Sequence, residues 1–157
     1  MQVSGLSKIV EVQAGSGSAH SLALQDITPP TLDTDKSDGT DSVSPDNGQR
    51  GVRRISNIMA TFSEPMDPST LNDTTVTLLN TKTLQEVSPI SLDVSSDGRT
   101  LTLNPFGPTT QKLAKRTTCK VTIKGGPGGA TDVAGNPLNQ PGPNAVDAEW
   151  TFKTGRK

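Results

Sequence analysis

Between residues 58 and 152, apolar side chains recur at every second position in short runs, and that rhythm suits one kind of backbone. Ile58, Ala60 and Phe62 alternate with polar neighbours. So do Val76 and Leu78; Ile90, Leu92 and Val94; Leu101 and Leu103; Cys119, Val121 and Ile123; and Ala148, Trp150 and Phe152. Successive side chains of a strand point to opposite faces, so each run buries one face and wets the other. No stretch of ten or more residues carries an unbroken helical stripe. Turn formers separate the runs: Pro45-Asp46-Asn47-Gly48, Ser96-Asp97-Gly98, Gly125-Gly126-Pro127-Gly128-Gly129 and Ala134-Gly135-Asn136-Pro137. About seven short strands in about 110 residues describe an all-β, two-sheet sandwich. Its expected core is Ile58, Phe62, Val76, Leu78, Leu92, Leu101, Leu103, Val121, Ile123, Trp150 and Phe152. One helical turn is predicted over Pro68–Leu71, crossing between the sheets. Asp67 is its cap, and Pro68 stands at the first helical position, where a missing N–H costs nothing.

The sandwich pattern occupies residues 42–155, and two different segments precede it. In residues 1–25, Val10, Val12 and Ala14 alternate, Gly15-Ser16-Gly17-Ser18 turns, and His20, Leu22 and Leu24 alternate again, which reads as two strands joined by a tight turn. Residues 26–41 are rich in aspartate, with Pro29-Pro30 at their start and few apolar side chains, which reads as a solvated linker. The first residues lack a basic start followed by an apolar run. An export signal is therefore expected on a larger parent chain, of which this sequence is a piece. No stretch approaches the roughly 20 apolar residues of a spanning helix, so membrane insertion is not expected.

Charge and residue inventory narrow the chemistry. The formal net charge is -1, with acids and bases interspersed along the sequence. No basic run interleaved with aromatics is present to hold a phosphate backbone, so nucleic acid is not an expected partner. A lone cysteine, Cys119, excludes an internal disulfide framework. The alternation turns it inward beside Val121 and Ile123, as a small buried hydrophobe, with Lys120 on the other face. The one histidine, His20, lies in a strand motif, and no nucleophile–histidine pairing or phosphate-cradling loop is present. The Gly125–Gly129 run lacks the Lys-Ser/Thr of a phosphate loop and reads as a flexible hairpin or crossing loop. No catalytic residue and no enzymatic activity are expected.

Calcium is the sharper possibility. Asp33-Thr34-Asp35-Lys36-Ser37-Asp38-Gly39 alternates oxygen donors, but it carries Asp38 and Ser44 where a helix-loop-helix calcium site wants glycine and glutamate. A second set is Glu64, Asp67, Asp132 and Asn136, which would share a cation if their two loops met at one end of the sandwich. Alternatively, Asp67 caps a turn, and Asp132 and Asn136 hydrogen-bond their own loop. Sugar-binding surfaces stack rings. Here Trp150 and Phe152 fall on the inward face, leaving Phe106 as the plausible exposed ring.

Two resemblances add to this. The string Val3-Ser4-Gly5-Leu6 … Val10 … Ala14-Gly15 … His20-Ser21-Leu22-Ala23-Leu24 resembles half of an RCC1-type propeller repeat, too little to close a propeller. From Ser42 onward, Ile58-Met59-Ala60-Thr61-Phe62-Ser63-Glu64-Pro65-Met66-Asp67-Pro68, Leu101-Thr102-Leu103-Asn104-Pro105, Asp132-Val133-Ala134-Gly135-Asn136-Pro137-Leu138 and Trp150-Thr151-Phe152-Lys153-Thr154-Gly155 resemble the Big_5 (SbsA-type) bacterial Ig-like domain. Cys119 stands where that family usually has an aromatic. The resemblance implies an immunoglobulin-like sandwich similar to S-layer modules. The implied role is a non-catalytic structural spacer of a larger bacterial cell-surface or secreted protein. Its partners would be the neighbouring domains of the parent chain, with possible association along a strand edge. The alternative is a calcium-stabilised adhesive or carbohydrate-binding accessory module.

Overall fold

The computed structural model describes residues 26–34, 42–88, 90–106, 112–139 and 146–156. Its strands are β1 (Val43–Ser44), β2 (Gln49–Val52), β3 (Ile58–Thr61), β4 (Val76–Asn80), β5 (Gln85–Glu86), β6 (Ser91–Val94), β7 (Thr100–Asn104), β8 (Thr118–Ile123) and β9 (Ala148–Thr154). They form two sheets, ordered β1-β3-β7-β6 and β2-β9-β8-β4-β5. Neighbours run antiparallel except β2 and β9, which are parallel. The crossing from the first sheet to the second after β3 is a single 3-10 turn, Pro68–Thr70. Asp67 caps it, with Oδ1 accepting from the Ser69 N–H at 2.9 Å.

The alternating side chains meet between the sheets as the pattern requires. Trp150 and Phe152 of β9 are 2% and 1% exposed, and Val121 and Cys119 lie directly across from them on β8. Ile58, Leu101 and Leu103 face them from the other sheet. Burial pushes the Cys119 thiol up to about 11, which keeps it protonated and inert at neutral pH. The expected core is reproduced with one difference. Leu92 is only partly buried, because β6 is an edge strand with no neighbour on its open side among the described residues. The indole N–H of Trp150 is buried without an acceptor among the described residues.

Residues 26–34 differ from the expected linker. Leu32 is 1% exposed and joins the core, and Pro30 is buried beside it. Thr31 N–H donates to Ser63 Oγ at 2.9 Å, Ser63 N–H returns a bond to the Thr31 carbonyl at 3.0 Å, and Asn139 N–H donates to the Pro30 carbonyl at 3.1 Å. One leucine and a set of backbone bonds therefore bring this segment into the folded body despite its polar composition. The propeller-like reading of residues 1–25 lies outside the described residues.

The glycine run is a tight crossing and not a flexible hairpin. A Cβ on Gly125 would sit 1.8 Å from the Val146 carbonyl oxygen and 2.4 Å from that of Leu138, so only glycine lets these backbones approach. Gly126 N–H donates to the Leu138 carbonyl and Ala130 N–H to the Lys124 carbonyl, which ties the loop down.

The first and last parts of the described body lie at opposite ends, the entry end and the exit end. Asp26 lies against Asn136, near where β9 begins at Ala148. Gly155 leaves past the far end of β9, its N–H bonded to the Val52 carbonyl at 2.8 Å.

Candidate functional site

Two loops that are distant in sequence pair at the entry end. Asp67 N–H donates to the Thr131 carbonyl at 2.9 Å, Val133 N–H donates to the Pro65 carbonyl at 3.2 Å, and Met66 bridges Asp132. Met66 is fully buried there, so the pairing is sealed by an apolar side chain pointing into the core. The Glu64–Asp67 and Asp132–Asn136 segments thus do meet.

They do not bring all four expected residues to one point. Asp67 turns to its own cap, with Oδ1 also accepting from the Ser69 hydroxyl at 2.8 Å. Those bonds hold its carboxyl below the ordinary value. Asp132, 2% exposed, organises its own loop. Its Oδ1 accepts from the Ala134 and Asn136 N–H groups, each at 2.8 Å, and its Oδ2 accepts from Asn136 Nδ2 at 2.8 Å. Asn136 Nδ2 also donates to the Asp26 carbonyl at 3.1 Å. A buried carboxylate is tolerable when several N–H groups point at it.

Asp26 is the member that sequence reasoning missed. The carboxylates of Asp26, Glu64 and Asp132 offer oxygens within 4.8 Å of one another. Nothing in the Asp-rich stretch singles Asp26 out from its neighbours; the signal is the Asn136 bond, which exists only once the segment is folded back. The other acidic string, Asp33–Gly39, is described only at Asp33 and Thr34. Phe106 is partly buried against the core and Trp150 and Phe152 are inside, so the described surface offers no free ring as a sugar platform.

Glu64 registers the crowding. Desolvation first, then the Asp26 and Asp132 charges, raise its carboxyl above its ordinary 4.5, and Arg99 offsets them in part. Between the unfolded and the raised folded value, the native state holds the extra proton, so this group's contribution to stability falls as pH rises through that window. Replacing Glu64 by Gln is therefore expected to raise the melting temperature at neutral pH, with the gain vanishing below pH 4.5. Melting curves of both proteins across that range check this; a gain unchanged at low pH contradicts it. Glu149 has the opposite sign. Its bond to Lys120 Nζ at 2.6 Å lowers its carboxyl, so its contribution is present at neutral pH and lost on acidification.

No curated protein matches the chain at a significant level. Among solved structures, the chain is similar to the N-terminal part of the bacterial S-layer protein SbsC, at 19% identity and a TM-score of 0.53. That match covers 82% of this chain and 24% of the SbsC chain. The chain is also similar to PcoC, a methionine-rich copper resistance protein from Escherichia coli, at 16% identity and a TM-score of 0.53. There 81% of this chain and 99% of the PcoC chain are covered. Identities this low speak for the fold alone. The profile of the Big_5 family, bacterial Ig-like domain, matches residues 26–154. The chain belongs to the Big_5 family of bacterial Ig-like domains.

Proposed function

We propose that this chain is a non-catalytic structural spacer of a larger bacterial cell-surface or secreted protein. The observation that carries the reading is the threading: Asp26 and Gly155 lie at opposite ends of the sandwich, so the described body spans the distance between them. Family membership and the likeness to a segment of an S-layer protein support it. So does the sealed interior, in which the aromatic side chains of β9 serve the core and not a ligand. Its work is mechanical, holding adjacent domains apart. The test is thermal melting against a panel of glycans and peptidoglycan fragments. A spacer keeps one melting temperature throughout; a saturable rise with any of them overturns the reading.

The three converging carboxylates favour a second reading, a calcium-stabilised joint held by Asp26, Glu64 and Asp132. Hard oxygen donors suit that ion, and it would relieve the mutual repulsion that raises Glu64. Millimolar calcium is then expected to raise the melting temperature of the native protein and to leave Glu64→Gln unmoved. Identical curves with and without calcium end this reading.

A further inference from the structure

Acids and bases are interspersed along the sequence, yet among the described residues acids predominate at one end of the fold and bases at the other, with Glu86, Asp93, Lys120 and Glu149 on the strands between. At the entry end, Asp26, Glu64 and Asp132 are joined by Asp73, Asp97 and Asp147. Asp73 and Asp147 lie just before β4 and β9, whose first residues both pair with Ile123. Asp97 sits in the β6–β7 turn beside Met66, which donates its N–H to the Gly98 carbonyl. Among the described residues, Arg99 and Lys124 are the bases there.

At the exit end the sign reverses. Arg54 and Lys112 are brought together by the bond from Leu113 N–H to the Arg54 carbonyl, and Arg116 N–H donates to the Gly155 carbonyl. Arg53, Lys115 and Arg156 are exposed among them. Arg50, Lys82 and Lys153 stand around the rim. The loops at this end, residues 53–57, 81–84, 112–117 and 155–156, contain no acid. Each charged end also presents an aliphatic side chain to solvent. Val133 is 72% exposed at the acidic end and Ile55 is 49% exposed at the basic end. Apolar contacts ringed by complementary charge are the anatomy of an interface.

We propose that the module associates end to end with a second copy of itself, the acidic end of one docking on the basic end of the next. A polyanion would account for the basic end alone; a second copy accounts for both. Because the two faces differ and lie at opposite ends, the contact is heterologous and leaves a free face at each terminus, so it extends into a file and does not close as a symmetric dimer. Such self-association is independent of the spacer role: a spacer with no ligand can still fail to associate, and an associating module can still bind a glycan.

Sedimentation velocity of the full chain over a concentration series tests it. At ~0.01 M salt, where the Debye length is about 30 Å, the weight-average sedimentation coefficient is expected to keep rising with concentration. At ~1 M salt, where it is about 3 Å, the chain is expected to run as a monomer. The combined variant Arg53→Glu, Lys112→Glu and Lys115→Glu should stay monomeric alone. Mixed with the native chain it should shorten the assemblies, since its acidic end still caps a native basic end. A native chain that is monomeric at low salt overturns the proposal. So does association that stops at a dimer, or that survives in the variant. Binding of polyglutamate or of a DNA duplex by a native chain that does not self-associate assigns the basic end to a polyanion and overturns it as well. The salt series on the native chain decides the matter even if the variant fails to fold.

Discussion

Phe152→Ala is expected to cost about 3–5 kcal/mol of folding stability, the range for emptying a buried aromatic site whose surroundings relax only in part. Marginal domains hold about 5–15 kcal/mol in total, so the variant should sit near its unfolding threshold. The position is unforgiving for a structural reason. Phe152 is 1% exposed, lies opposite Cys119 on β8, and belongs to a strand hydrogen-bonded on both sides, so the sheet cannot fold inward to fill the space. Its cross-strand partner, Cys119, is too small to fill the space. Urea titration followed by the fluorescence of Trp150, the sole tryptophan, reads the change directly. Trp150→Phe, two residues along the same strand, should cost less, because it removes an indole N–H that has no acceptor among the described residues. A Phe152→Ala midpoint within error of the native protein would place the ring outside the core and dissolve the account of the sandwich.

The contrast between those two positions and the entry end marks what a linear sequence carries. Facing of β3, β4, β7, β8 and β9 follows from a period of two, a local property, so Trp150 and Phe152 could be assigned inward from their neighbours alone. Asp67 as the cap of the Pro68–Thr70 turn is equally local, decided by a side chain two residues from the N–H it meets. Leu32 and Asp26 were not legible. A single leucine among aspartates has no period, and its burial depends on backbone bonds to Ser63 and Asn139, far along the chain. The sorting of charge was hidden for the same reason: antiparallel strands return the loops to two ends alternately, so bases that are scattered in sequence gather in space. The tightness at Gly125 depends on the Val146 and Leu138 carbonyls, which a glycine run cannot disclose.

Asp132→Ala should be the most damaging change outside the core, at about 3 kcal/mol, because three donors lose one acceptor group at once. The Ala134 and Asn136 N–H groups and Asn136 Nδ2 all end on that carboxylate. Asn136 in turn holds the Asp26 carbonyl, so the loss propagates to the segment that seats Leu32. One effect runs the other way. Removing the charge relieves Glu64, whose carboxyl is raised in part by Asp132 and should move back toward its ordinary value. The two consequences are separable. Chemical denaturation reports the lost hydrogen bonds, and an NMR titration of the Glu64 side chain reports the lost repulsion. Asp132→Asn should recover part of the stability, since its amide oxygen still accepts, while relieving Glu64 as fully as alanine does. If alanine and asparagine destabilise equally, the carboxylate acts through its charge and not as the acceptor that organises the loop. If Glu64 titrates unchanged in both, the three carboxylates do not share one site, and the calcium reading loses its basis.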